Sequence, residues 1–145
     1  MARMDTTKEI TWTVATAADG ASFWAKLGPL ATDAAVAKEM GSGIVSSDRH
    51  TWLFAMDGDE VVAMGALVAP AKPGEPVWID MAYVRPGHRR EGLWTAMFER
   101  RMAMAAREGY ARIRACTRVL GQRLAAEGFA VYRQNGSWSY MEKAI

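Results

Sequence analysis

Apolar and polar positions change period several times along the chain, and each change predicts an element. Ile10 to Thr16, ITWTVAT, is β-branched and aromatic and predicts a first strand. Residues 21–40 are alanine-rich, with Phe23, Trp24, Leu27, Leu30 and Val36 at helical spacing. Gly28-Pro29 interrupts them, which predicts two short helices with the break at that dipeptide. Gly41-Ser42-Gly43 reads as a flexible joint. His50 to Met56 and Glu60 to Val68 then read as two strands around a tight turn at Asp57-Gly58. Pro70, Pro73, Gly74 and Pro76 make a loop that cannot continue a strand.

Val77 to Val84 predicts a further strand, and Gly92 to Arg107 a helix. Leu93, Met97 and Met104 lie along one face of that helix, broadened by Trp94, Phe98, Met102 and Ala105, and Gly109 suits its C-terminal cap. Ala111 to Thr117 alternates Arg112, Arg114 and Cys116 against Ile113 and Ala115, a strand with one polar face. Val119 to Glu127 reads as a short helix stopped by Gly128. Phe129 to Arg133 and Trp138 to Lys143 read as closing strands around Asn135-Gly136. The order is β-α-α-β-β-β-α-β-α-β-β, with no internal repeat or linker. It predicts an α+β fold on a mixed, mostly antiparallel sheet flanked by helices, with residues 1–145 forming a single domain.

The chemistry concentrates in Val77 to Phe98, where a strand, a short Arg- and Gly-bearing loop and a helix start follow one another. A helix N-terminus offers unpaired backbone N–H groups and the positive end of its dipole, which suits a phosphate. Arg89 and Arg90 add fixed charge, and Gly92 lets the backbone approach a ligand closely. This corner predicts an anionic cofactor.

Composition narrows the classes. Half of the 145 residues are apolar and 23% are charged, the profile of a folded globular chain. The apolar run from Val61 to Ala71 is broken by Gly65 and Pro70 and is too short to span a bilayer, so no membrane role is expected. The charged start, with Arg3, Asp5, Lys8 and Glu9, does not read as a secretory leader, and a cytoplasmic location is expected. One cysteine, Cys116, excludes an internal disulfide framework, and His50 and His88 have no ligand spacing, so no metal is expected. Charge is uneven. Residues 1–84 hold 6 Lys/Arg against 11 Asp/Glu, whereas residues 85–133 hold 11 Arg against 4 Glu. Every base in that segment is arginine, compatible with a solvated surface, a phosphorylated cofactor or nucleic acid.

With this element order, the chain resembles the GNAT superfamily of acyl-CoA-dependent N-acyltransferases. The central motif of that family, R/Q-x-x-G-x-G/A at a helix start after a strand ending V-x-P, corresponds to Val84-Arg85-Pro86 and Arg89-Arg90-Glu91-Gly92-Leu93-Trp94. A helix ending in Gly-Phe before a strand corresponds to Arg123 through Gly128-Phe129. The resemblance implies acetyl-CoA as co-substrate and direct transfer of its acetyl group to a primary amine in a ternary complex. Backbone groups of Ala82, Tyr83 and Val84 would pair with the pantetheine arm, and an N–H there would polarise the thioester carbonyl. Amides from Arg89 through Gly92, Leu93 and Trp94 to Thr95 would cradle the pyrophosphate. Thr117 falls where many relatives place an asparagine against the cofactor.

Two positions depart from the family pattern. Trp94 replaces a small residue, so its ring must either enter the helix packing or narrow the phosphate site. Leu124 stands where the general-acid tyrosine is common and cannot donate a proton, which leaves Tyr83, Tyr132, Tyr140, water, or departure of the thiolate without assistance. Asp80, four residues before Val84, is the candidate base or substrate-binding carboxylate; burial among Trp78, Ile79, Met81 and Tyr83 would raise its pKa, and a surface pairing with arginine is the plainer alternative. His88 suits phosphate or solvent better than catalysis. Cys116 reads as a small buried hydrophobe, and Trp12, Trp24, Trp52, Trp78 and Trp138 read mostly as core.

Two other readings accompany the enzyme reading. The phage DNA-modifying Mom proteins are similar to GNATs, so the arginine segment and Leu124 are compatible with a nucleobase acceptor. A catalytically silent acyl-CoA-binding protein would fit the same departures. The acceptor is expected to be a small-molecule or peptide amine, and the exposed edge of the closing hairpin offers a route to a homodimer.

Overall fold

The computed structural model describes residues 9–145. Seven strands form one sheet: β1 (Ile10–Ala15), β2 (His50–Asp57), β3 (Glu60–Val68), β4 (Val77–Val84), β5 (Arg112–Thr117), β6 (Ala130–Asn135) and β7 (Trp138–Ala144). Their spatial order is β1-β2-β3-β4-β5-β7-β6. Every pairing is antiparallel except β4 with β5. Four α-helices accompany them: α1 (Ala21–Ala31), α2 (Ala34–Met40), α3 (Leu93–Arg107) and α4 (Gly121–Ala126). The predicted α+β architecture and element order hold.

β2 and β3 are the most deeply buried strands. Their near-continuous apolar runs, WLFAM and VVAMGAL, match burial on both faces rather than alternation. On one face Phe23, Leu27, Leu30 and Val36 of α1 and α2 pack against Trp52, Phe54, Met64 and Tyr83. On the other, Phe98 and Ala105 of α3 and Leu124 of α4 pack against Ile79, Ile113, Ala115 and Met141.

Several predicted boundaries move, each for a local reason. α1 runs through Gly28-Pro29, and the break comes at Thr32-Asp33. Pro29 lies in the last turn of α1. The Asp33 carboxylate then accepts the N–H groups of Ala35 and Val36 and starts α2. Both hairpin turns sit one residue later than predicted, at Gly58-Asp59 and Gly136-Ser137, because Asp57 pairs with Glu60 and Asn135 with Trp138. In each turn only the glycine has positive φ, 61° and 59°, so it occupies the first central position of a type II′-like turn. α4 begins at Gly121 rather than Val119, since the Thr117 hydroxyl accepts the Leu120 N–H and holds the preceding turn open. Among the tryptophans expected in the core, Trp52 is fully buried, but Trp24 and Trp138 are exposed.

Candidate active site

The sheet comes apart where β4 meets β5. Only Val77 with Ile113 and Trp78 with Arg114 are in register. Beyond them the strands diverge, leaving the backbone edge of Ile79–Val84 facing a cleft of about 750 Å³. Asp80, Ala82, Tyr83, Val84, Arg89, Arg90, Gly92, Leu93, Trp94 and Thr117 all line it, so the fold gathers nearly all the predicted site residues in one place. Thr95 stands outside the lining, its hydroxyl accepting from Arg123 at 2.9 Å.

The floor on the β4 side is a bulge. Met64 pairs with Tyr83 and Ala66 with Asp80, so β4 carries one residue more than β3 between those pairs. Met81 takes a φ of 56°, a left-handed conformation unusual for a non-glycine residue. Met64 and Ala66 lie on the same face, and the extra residue therefore brings Asp80 and Tyr83 to that face together. Asp80 is exposed there, so the burial among Trp78, Ile79, Met81 and Tyr83 considered from the sequence is not met. Its carboxylate accepts the N–H of Met81 at 2.9 Å.

The opposite end of β4 leads through Arg85, whose Nε donates to the Val61 carbonyl, into the loop. Arg90 and Gly92 both have left-handed backbone, with φ of 65° and 80°, and they turn the chain into α3. The first helical ladder bond runs from Ala96 N–H to the Gly92 carbonyl, so the amides of Leu93, Trp94 and Thr95 precede the ladder. A left-handed turn feeding an open helix start fits a phosphate through backbone donors.

The side chains around it are less free than their sequence position implies. Arg89 pairs with Glu39 of α2, donates from Nε to the Val84 carbonyl and lies 5.7 Å over the Tyr83 ring. Its bond to Glu39 pushes its pKa up. Trp94 stacks on Phe98 with ring centres 5.3 Å apart, and Arg123 covers its other side at 3.9 Å. The large ring is thus held in α3–α4 packing while also lining the cleft, so it takes part in both of the arrangements open to it. His88 faces Asp57 at 3.6 Å. Leu124 is buried at the cleft wall. Among the candidate tyrosines, Tyr83 lines the cleft, whereas Tyr132 and Tyr140 pair edge to face on the outer strands, where burial raises the Tyr132 phenol and nearby Arg114 partly opposes that rise.

Sequence reasoning missed Arg101. It is 1% exposed, lines the cleft, and donates from Nη1 to the carbonyls of Ala66 and Asp80 at 3.2 and 3.3 Å. Burial pulls it down to about 10, partly offset by the Asp80 charge, so it is a buried cation at neutral pH. The signal was present: Leu93, Met97, Arg101 and Ala105 form one i, i+4 row, and all four are buried.

The sequence pattern of the acetyltransferase (GNAT) family matches residues 12–134. Among curated proteins nothing matches the chain. An acyl-CoA N-acyltransferase from Pseudomonas aeruginosa is similar in fold, with a TM-score of 0.76 and 20% identity over 94% of this chain and 100% of that one. ElaA of Escherichia coli gives 0.73 and 16% over 93% and 99%, respectively. A GNAT family acetyltransferase from Elizabethkingia anophelis, solved with acetyl-CoA bound, gives 0.62 and 14% over 94% and 98%. With its split sheet, bulged strand and open helix start, the chain belongs to the acetyltransferase (GNAT) family, whose general activity is acyl-CoA-dependent N-acyl transfer.

Proposed function

We propose that the protein transfers an acetyl group from acetyl-CoA to a primary amine by direct attack in a ternary complex. The observation that carries this reading is the β4–β5 split. It places a free strand edge, a bulge and an unladdered helix start along one cleft of suitable volume. Amides from Arg90 to Thr95 hold the pyrophosphate, with the Arg90 side chain exposed beside them; the Arg89 N–H, expected from the sequence to join them, already donates to the Pro86 carbonyl at 3.4 Å. The free edge of Ala82, Tyr83 and Val84 pairs with the pantetheine arm.

The reaction forms an N–C bond and breaks the C–S bond, so the amine loses a proton and the thiolate takes one up. Asp80 is the favoured base, and its exposure at the cleft suits transfer through a water molecule. Tyr83 is the tyrosine placed in the cleft for the thiolate. Its burial under Arg89 makes it part of the wall as well, and solvent is the competing proton source.

A second reading, a nucleobase acceptor in nucleic acid, is favoured by arginine–aromatic pairs on the β5–β7–β6 side. Arg114 covers Tyr132 at 4.6 Å, Arg133 covers Tyr140 at 5.1 Å and Arg118 covers Trp138 at 5.4 Å. Such pairs present stacking surfaces and cations together.

Thermal unfolding with acetyl-CoA, free CoA and duplex DNA tests the cofactor corner first. Acetyl-CoA at about 100 times its Kd should add roughly 2.7 kcal/mol and raise the midpoint by several degrees. No rise at millimolar acetyl-CoA refutes the reading. A rise with DNA alone, lost with added salt, moves the acceptor to nucleic acid.

A further inference from the structure

Arg101 poses a question that packing alone does not answer. A guanidinium buried in the helix–sheet interface is costly unless its donors are satisfied. Nη1 reaches two carbonyls, but Nε is buried with no partner. The sequence also makes room for it. A Cβ on Gly65 would lie 2.9 Å from the Arg101 Cζ, 3.0 Å from the Met97 Sδ and 3.1 Å from Nε, so any side chain there has to push the guanidinium or the Met97 thioether aside. A hydrophobic residue would continue the row of Leu93, Met97 and Ala105 without any of these accommodations.

The two carbonyls identify the role. Ala66 and Asp80 are register partners across β3 and β4, next to the bulge at Met81. A bulge interrupts the ladder locally, and Arg101 Nη1 supplies the donor that bridges both strands there. Because the Asp80–Met81 peptide is trans, its N–H points to the side opposite the carbonyl held by Arg101. That N–H is the one accepted by the Asp80 carboxylate. One peptide unit thus lies between a buried guanidinium at its oxygen and a carboxylate at its nitrogen.

We propose that Arg101 is a positioning residue that clamps the β4 bulge and, through the Asp80–Met81 peptide, fixes Asp80 and the bulge amides in the cleft. Gly65 is its partner, the gap through which the guanidinium reaches both strands. The clamp stands on geometry alone; its catalytic consequence rests on the acetyl-transfer reading.

Arg101→Met, Arg101→Lys and Gly65→Ala test it, each checked by thermal unfolding. In the ligand-free protein, amide hydrogen exchange at Ala66 and residues 80–82 should quicken about tenfold or more in Arg101→Met and Gly65→Ala, with β5–β7 amides unchanged. In turnover with acetyl-CoA and a panel of small primary amines, kcat should fall by on the order of 100-fold, whereas KM for acetyl-CoA, whose pyrophosphate is held away from the bulge by the loop before α3, should rise by far less. Lysine keeps the charge and a donor and should recover part of both losses. A space-filling role makes the opposite prediction, since methionine suits an apolar row better than lysine. Unchanged exchange at the bulge in folded Arg101→Met, or methionine equalling or exceeding lysine, overturns the proposal. If Arg101→Met does not fold, exchange in Gly65→Ala decides it. Absence of turnover in the unaltered protein refutes the acetyl-transfer reading, and the exchange result still judges the clamp.

Discussion

The two parts of the sheet are built on different terms. β1 to β4 form one antiparallel run, covered by α1 and α2 on one face and by the start of α3 on the other, and β2 and β3 are buried almost throughout. β5, β7 and β6 form a second antiparallel run, covered by α3 and α4 on one face. Its other face carries Arg112, Arg114 and Glu142 as an ion-paired group, and every residue of β6 is exposed. Two residue pairs join the runs. The first is a core that happens to border a site; the second is a rim whose polar face has little packing to maintain. Stability should therefore reside in one part, and chemistry at the seam.

The largest test of that contrast is a pair of truncations. Trp52→Ala empties a fully buried position between Phe54 and His50 and also frees the Ser46 hydroxyl that accepts its indole N–H. It should cost about 3–5 kcal/mol, lowering the midpoint by on the order of 10 °C. Tyr132→Ala on β6, 44% exposed, should cost about 1 kcal/mol or less. Equal losses would mean that the rim is as tightly built as the core.

At the seam the order reverses. Asp80→Asn should leave the unfolding midpoint nearly unchanged, because the side chain is exposed, yet lower kcat about 100-fold with the KM for acetyl-CoA preserved. Activity within a few-fold of the parent removes Asp80 as the base. Gly92→Ala places a methyl group in open space but forces alanine into left-handed backbone, at a cost of about 1 kcal/mol. A several-fold rise in KM for acetyl-CoA with little change in kcat is expected, and an unchanged KM would detach the loop from phosphate binding.

The smallest effect concerns pH. Burial holds His50 below its usual value of 6.5, with the Asp80 charge partly opposing and Arg49 assisting. A histidine with a depressed folded pKa binds more protons unfolded than folded in the window just below 6.5. Stability is lost there as pH falls and is unaffected by this group above it. Midpoints measured between pH 7.5 and about 5 should fall less steeply for His50→Gln than for the parent; parallel slopes would remove His50 from the account.

The element order and the loop that turns into α3 were legible because they rest on local signals: alternation in Arg112–Thr117, turn residues in the 69–76 loop, and a glycine at the start of α3. The two hairpins were displaced by one residue because Asp-Gly and Asn-Gly suit a turn with both central residues left-handed, whereas the strand register selected glycine first. Pro29 was read as a break, yet α1 carries it two residues before its end, and the chain turns only where Asp33 caps α2. The bulge at Met81 and the engagement of Arg89 with Glu39, 50 residues apart in sequence, depend on strands and helices meeting in space. Arg101 was legible in principle: a charge within an apolar i, i+4 row is the kind of local conflict that points to a site.

The split sheet also bears on self-association. An ordinary open sheet has two outer edges, among the described residues β1 and β6, each able to recruit a strand from another chain. The divergence after Trp78 and Arg114 adds two facing edges within the molecule, β4 and β5, at the walls of a cleft. Backbone groups that would seed fibre growth on the outside are turned there toward the walls of a cleft. What would be a hazard at the perimeter is walled off within the molecule.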